Sequence, residues 1–236
     1  MSDDIHPTTG TEIDASAVAP EFGPPSQGGV DGAGEQDELE TGTTTVGLTT
    51  EDGVVLAADR RASAGNLVAS KNADKILEIH SSAALTISGS VSAAQSLVNS
   101  LRAEVRLYET RRDTGMSLEA LANLTSNLLR SGGFRIVQPV LGGVDAEGSH
   151  IYSIGPGGSV MAEDYAVSGS GSPFALGVLE QEYDAGMSVE DAATTAARAV
   201  QSAVERDTAS GNGLSLATIT GDGVEITTHE RIENAL

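Results

Sequence analysis

The sequence predicts an α+β layered sandwich in which pairs of helices cover packed sheets. The texture changes from polar and acidic to globular near residue 42. Beyond it, apolar residues recur with a period of three to four in some segments and run almost unbroken in others. These segments fall in the order strands, two helices, strands, two helices, strands, and such segregated runs build layered α+β folds rather than alternating α/β ones.

The globular part opens with a predicted strand over 43–50. Glu51-Asp52-Gly53 carries an Asp-Gly turn signal. A second strand over 54–59 is nearly all apolar, as expected of a strand buried on both faces. A third covers 84–89 and ends at Gly89. Ala94, Leu97, Leu101, Val105 and Tyr108 then recur three or four apart, which predicts one buried face of an amphipathic helix over 91–113. A second helix is predicted over 117–131, with Ser117 as N-cap and Gly132-Gly133 as its stop. Short strands are expected near 135–142, 149–155 and 158–162. A third helix starts about Pro173, because proline is tolerated in a first turn. The fourth starts at the capping box Ser188-Val189-Glu190-Asp191 and runs to Asp207. Strands over 214–220 and 223–228 flank the hairpin signal Gly221-Asp222-Gly223.

Residues 1–42 differ in kind. They hold ten carboxylates, no Lys or Arg, and four of the seven prolines of the chain. Such a segment cannot bury enough apolar surface to offset its ordering entropy, so it is expected to be a disordered leader, with a permanent acidic tail as the alternative that composition leaves open. Its start, Met1-Ser2-Asp3-Asp4, lacks the basic and apolar regions of a secretory signal.

Across all 236 residues the net charge is −21, and 39% of residues are hydrophobic but only 3% aromatic. Val, Ile, Leu and Ala must therefore fill the core. So acidic a surface argues against nucleic acid and anionic membranes as partners, and no apolar run approaches the about 20 residues of a membrane span. Of the 13 basic residues only Lys71 and Lys75 are lysines. An acid-rich, lysine-poor chain suits a very salty cytoplasm, where ions screen its self-repulsion. Cysteine is absent, and His6, His80, His150 and His229 show no metal-ligand spacing. Neither a metal nor a cofactor is expected. Gly155-Pro156-Gly157-Gly158 lacks the Lys and Ser/Thr of a phosphate loop.

The candidate chemistry lies where the leader meets the first strand, at Gly42-Thr43-Thr44-Thr45-Val46-Gly47. Three threonines suit a strand edge. The composition break offers a second reading, in which the chain is cut between Gly42 and Thr43. Thr43 would then carry a free α-amine beside its own hydroxyl. An N-terminal amine titrates near 7.7–8.0 in reference peptides, so it can serve as the base that a weakly nucleophilic hydroxyl needs.

Six segments together carry a family resemblance: Thr43-Thr44-Thr45-Val46-Gly47, Ala58-Asp59-Arg60-Arg61, Lys71-Asn72-Ala73-Asp74-Lys75-Ile76, Ser88-Gly89, Gly169-Ser170-Gly171-Ser172-Pro173-Phe174-Ala175 and Arg206-Asp207-Thr208-Ala209-Ser210-Gly211. In order and spacing the chain resembles the proteasome β family over about residues 40–230, most nearly the archaeal type. The resemblance implies a four-layer αββα sandwich of the N-terminal-nucleophile hydrolase type, with a propeptide over 1–42 and a catalytic domain over 43–236. It implies that Thr43 is the nucleophile of a threonine endopeptidase, self-processed at Gly42-Thr43. Lys75 would lower the pKa of the Thr43 hydroxyl, Asp59 would hold Lys75, and Gly89 would offer its N–H to the oxyanion. Ser170, Asp207 and Ser210 would surround the Thr43 amine. Asp59-Arg60-Arg61 also reads as a surface charge cluster, Gly89 as a strand-end bend, and Asp207 with Ser210 as a helix cap. Ala62, Ala73, Leu77, Ile87 and Val91 match the specificity pocket, and their apolar character predicts cleavage after apolar residues. The implied partners are seven-membered β rings stacked with α-subunit rings, a regulatory ATPase acting through the α rings, and protein or peptide substrates. The implied location is the cytoplasm. A non-catalytic structural β subunit, or another N-terminal-nucleophile amidohydrolase, is the alternative.

Overall fold

The structure, a computed structural model, describes residues 42–131, 134 and 136–236. The predicted leader, save Gly42, and the Gly132-Gly133 stop lie outside them. Two five-stranded antiparallel sheets stack face to face, each covered by a helix pair. The predicted αββα layering is therefore present.

One sheet has the order β10-β1-β2-β11-β12, built from Tyr165–Ser168, Thr45–Thr49, Val54–Asp59, Leu214–Thr220 and Gly223–His229. The other runs β5-β6-β7-β8-β9, from Ile76–His80, Ala83–Gly89, Val137–Asp145, Gly148–Ile154 and Val160–Glu163. Helices α1 (Val91–Arg112) and α2 (Leu118–Ser131) cover the second sheet, while α3 (Ser172–Glu182) and α4 (Val189–Arg206) cover the first. A two-stranded hairpin, β3 (Ala62–Ala64) and β4 (Leu67–Ser70), stands apart from both sheets.

The alternation of side chains along each strand explains why β2 is apolar throughout. Val55 and Ala57 face the α3/α4 layer, and Val54, Leu56 and Ala58 face the opposite sheet. All five are fully buried. β11 divides the same way, with Leu214 and Leu216 toward the helices and Ala217 and Ile219 toward the other sheet. The sheets approach closely where Gly47 and Gly142 meet. A Cβ at either would press within 3.0 Å of both Leu56 and Ile151 side chains.

The predicted helices agree with the observed ones to within one or two residues. Proline lies in the first turn of α3, and Ser188 caps α4 by accepting the Asp191 N–H at 3.1 Å. Four strands were not predicted: β3, β4, β5 and β10. Each has five residues or fewer, too short a span for alternation or an apolar run to mark it in the sequence. The last of these matters most. β10 pairs antiparallel with β1, Thr45 opposite Ser168, and so delivers the next residues, Gly169 and Ser170, beside Thr43.

Candidate active site

Five chain segments build the site: Thr43 leads into β1, Asp59 ends β2, Lys75 immediately precedes β5, residues 169–171 join β10 to α3, and Asp207 caps the C-terminal end of α4. Strand pairing sets the spacing, because β2 lies between β1 and β11 and thereby carries Asp59 beside Thr44 and the 207–213 loop.

Asp59 and Lys75 form one buried unit. The Lys75 ammonium donates to Asp59 Oδ1 at 2.7 Å, and their side chains are 4% and 0% exposed. Burying a carboxylate is costly unless its lone pairs are filled, and here they are. Oδ1 also accepts the Thr44 N–H at 2.8 Å, and Oδ2 accepts those of Arg61 at 3.0 Å and Gly211 at 2.9 Å. Burial pushes the Lys75 ammonium below the ordinary lysine range, outweighing the opposing attraction of Asp59. The charge-cluster reading of Asp59 is therefore wrong: this carboxylate is interior and fully paired.

A hydroxyl network forms the other wall. The Ser170 and Ser210 hydroxyls each donate to Asp207 Oδ2 at 2.6 Å. With its proton committed there, Ser170 Oγ accepts the Thr43 N–H at 3.2 Å. Ser210 Oγ is likewise left to accept from Thr44 Oγ1 at 2.7 Å. Thr44 thus touches both halves, with its N–H on Asp59 and its hydroxyl on Ser210. Sequence reasoning gave Thr44 no role, and its only signal was membership of the threonine run.

Thr43 is 2% exposed, and its hydroxyl donates to the Gly42 carbonyl at 2.7 Å. The nucleophile candidate therefore rests against the peptide unit at the predicted cut. Among the described residues no hydrogen bond joins Thr43 directly to Lys75 or to Gly89. Gly89 sits at the end of β6 with φ 103°, a left-handed conformation that favours glycine, and a Cβ there would overlap the Ile136 carbonyl.

The five pocket candidates divide. Ile87 is a core residue and Leu77 packs on the same cluster. Ala62 and Ala73 are half-buried outside that cluster, and Val91 is exposed at the start of α1. Arg61, read from sequence as part of the Asp59-Arg60-Arg61 charge cluster, reaches across to the 207–213 loop. It donates from Nη1 to Thr208 O at 2.7 Å and from Nε to Asn212 Oδ1 at 3.1 Å. Nothing in the linear sequence indicates that crossing.

A family model described as "Proteasome subunit" matches residues 39–219. The chain is 64% identical to "Proteasome subunit beta" of Haloquadratum walsbyi over 83% of its own length and 81% of that relative's. It is 62% identical to the protein of the same description from Haloferax volcanii, with the same coverage. With that of Halorubrum lacusprofundi the identity is 60%, over 85% of this chain and 83% of the relative. These halophilic sources agree with the salty setting that the charge and the lysine scarcity predicted. The chain belongs to the proteasome subunit family, and these halophilic archaeal relatives within it are β subunits.

Proposed function

We propose that this chain is the catalytic β subunit of a proteasome core, a threonine endopeptidase synthesised as a precursor and cut before Thr43. The observation that carries this reading is the Thr43 hydroxyl, 2.7 Å from the Gly42 carbonyl oxygen, at the point where composition changes from acidic leader to strand. In the maturing step Thr43 Oγ bonds to the Gly42 carbonyl carbon, and the Gly42–Thr43 C–N bond breaks. The hydroxyl proton ends on the Thr43 nitrogen, leaving an ester. Water then adds to that ester, releases residues 1–42 as an acid and restores the hydroxyl.

The product has a free amine on Thr43. Ser170, which accepts the Thr43 amide N–H at 3.2 Å, is placed to orient that amine. In peptide hydrolysis the amine takes the hydroxyl proton and returns it to the leaving nitrogen. Lys75, held by Asp59, stabilises the developing alkoxide. Gly89 N–H faces the oxyanion, and Asp207 with Ser210 fixes Ser170. Of the apolar pocket candidates, Ala62, Ala73 and Val91, which lie outside the core cluster that holds Ile87 and Leu77, favour apolar residues at the cut. The working particle is a pair of seven-membered β rings between α rings in the cytoplasm, fed with unfolded protein by an ATPase acting through the α rings.

The test is the intact mass of the chain in purified particles. A chain beginning Thr43-Thr44-Thr45 is expected from the native sequence, and an uncut chain from Thr43→Ala. A native chain that keeps its leader, or a Thr43→Ala chain that loses it in a protease-free preparation, would overturn the reading.

A further inference from the structure

The two sheets meet through side chains, and the layer between them is mostly apolar. Leu56, Ala84, Val140, Ile151, Ala166 and Ile219 are among the residues that fill it. Such contacts are individually weak and have little direction, so they resist separation of the sheets better than they fix how one slides over the other. The proposed chemistry needs that slide fixed. Thr43 and Ser170 stand at the ends of β1 and β10 in one sheet, while Gly89 ends β6 and Lys75 precedes β5 in the other.

Among the described residues, side-chain hydrogen bonds join these two halves at two places. One is Lys75 with Asp59, which sets Lys75. The other is Ser168. Alternate residues of a strand share a face, so Ser168 points with Ala166 into the layer between the sheets, and Ser88 does so with Ala84. Ser168 Oγ lies 2.7 Å from Ser88 Oγ and 3.1 Å from Gln138 O, and Ser88 Oγ lies 3.0 Å from the same carbonyl. One hydroxyl donates to Gln138 O and the other to its fellow hydroxyl, and either arrangement binds Ser168 to the opposite sheet. The two serines are buried, where a hydroxyl without a partner would be costly.

Each end of this bridge leads to a reacting group. Ser168 lies opposite Thr45 in β1, and its carbonyl accepts the Thr45 hydroxyl at 3.4 Å. The next residue, Gly169, has φ 99° and passes so close to the Thr43 carbonyl that a Cβ there would overlap it. The Gly171 N–H donates to that same carbonyl at 3.3 Å. At the far end Ser88 is the chain neighbour of Gly89 and lies opposite Gln138 in β7. We infer that Ser168 is a positioning residue for the peptidase chemistry, its hydroxyl bridge to Ser88 and Gln138 setting how far the Gly89 N–H stands from the Thr43 hydroxyl. This role rests on those proposed for Thr43 and Gly89, and it gives the oxyanion donor its own tie to the nucleophile's sheet, separate from the Asp59–Lys75 pair.

The test measures kcat and KM on a fluorogenic peptide for purified particles, per chain beginning at Thr43 by intact mass. Native, Ser168→Ala, Ser88→Ala and the double variant are compared. Ser168→Ala opens the bridge entirely, yet Ser88 keeps the Gln138 carbonyl and is not orphaned. A displacement of about 1 Å can cost about 100-fold, so loosening by a fraction of that is expected to lower kcat about tenfold. KM should stay within about twofold, because the oxyanion contact is made only in the transition state. Ser88→Ala leaves Ser168 on Gln138 and should cost only about threefold. The double variant should fall no further than Ser168→Ala, since the bridge is already open. Both limbs of the pH profile should stay in place, because the amine and Lys75 are held by other groups. The bridge role falls if a folded Ser168→Ala particle keeps the native kcat, if the two single losses multiply in the double variant, or if the loss comes with shifted pH limbs. If Ser168→Ala does not assemble, Ser168→Cys, which fills the same place with a weaker donor, carries the same expectations. Thr43→Ala particles that keep their activity would instead remove the threonine mechanism beneath the bridge.

Discussion

Lys75 is the residue where burial and charge oppose each other most directly. Its ammonium is 2.7 Å from Asp59 in a site almost closed to water, and burial holds its pKa below the ordinary lysine value. If the charged form stabilises the Thr43 alkoxide, activity is present below the Lys75 pKa and lost above it. Because that pKa is lowered, the alkaline fall in kcat/KM should come below the about 10.4 of a free lysine. The acid limb should track the Thr43 amine, near 7.7–8.0 in reference peptides, which must be neutral to act as a base. A pH profile on a fluorogenic peptide checks both limbs, and an alkaline limb at or above the free-lysine value would show that burial does not lower the Lys75 pKa in the working site. Lys75→Arg keeps the charge but not the compact ammonium, and should lower kcat by about 100-fold or more. Lysine is so scarce in this chain that its presence at 75 could be noticed in the sequence. The donors that make Asp59 tolerable could not: Thr44, Arg61 and Gly211 contribute backbone N–H groups that only the chain's return brings together.

At the scale of single elements, capping is local chemistry and therefore readable. Ser188-Val189-Glu190-Asp191 predicts the start of α4, and Ser188 Oγ both accepts the Asp191 N–H and donates to Asp191 Oδ2 at 2.8 Å. Ser188→Ala should cost about 1 kcal/mol, a fall of about 2–4 °C in the unfolding midpoint for a domain of this size. Asp207 lies at the other end of the helix, so activity per folded subunit should hold. A calorimetric midpoint with a peptide assay tests both, and an inactive but stable variant would show that α4 transmits more than its position. The start of α2 shows where local reading stops. Ser117 accepts the Ala120 N–H at 3.3 Å as its sequence position suggests. Asp145, from the far end of β7, takes the Leu118 N–H at 2.8 Å. Burial alone would raise the Asp145 carboxyl, but the N–H groups of Leu118 and Glu147, with His150, hold it below the usual carboxylate range. β10 escaped prediction for the same reason. Tyr165–Ser168 is too short to show alternation, and its strand character comes from its pairing with β1.

Charge acts on the whole molecule. The chain carries −21, and loss of the ten carboxylates of residues 1–42 would bring it to −11, because that segment holds no Lys or Arg. Among the described residues, the ion pairs with a well-exposed partner on each side are Arg198–Glu182 at 3.1 Å and Arg231–Glu233 at 3.5 Å. Exposed pairs of this kind contribute about 0–1 kcal/mol each, too little to balance so large an excess of carboxylates. Folding gathers that excess onto one compact surface, and the resulting self-repulsion opposes the folded state. Salt weakens it by shortening the Debye length from about 10 Å at 0.1 M to about 3 Å at 1 M. The unfolding midpoint should therefore climb as KCl is raised through the molar range. The climb should be steeper for a Thr43→Ala chain, which retains its leader under the self-cutting mechanism, than for the mature chain with about half the net charge. Calorimetry of both forms at 0.1 M and 2 M KCl decides the matter. Equal slopes would mean that the leader's carboxylates stay too far from the domain to add to its repulsion. A midpoint indifferent to salt would mean that the acidic surface does not limit stability at all.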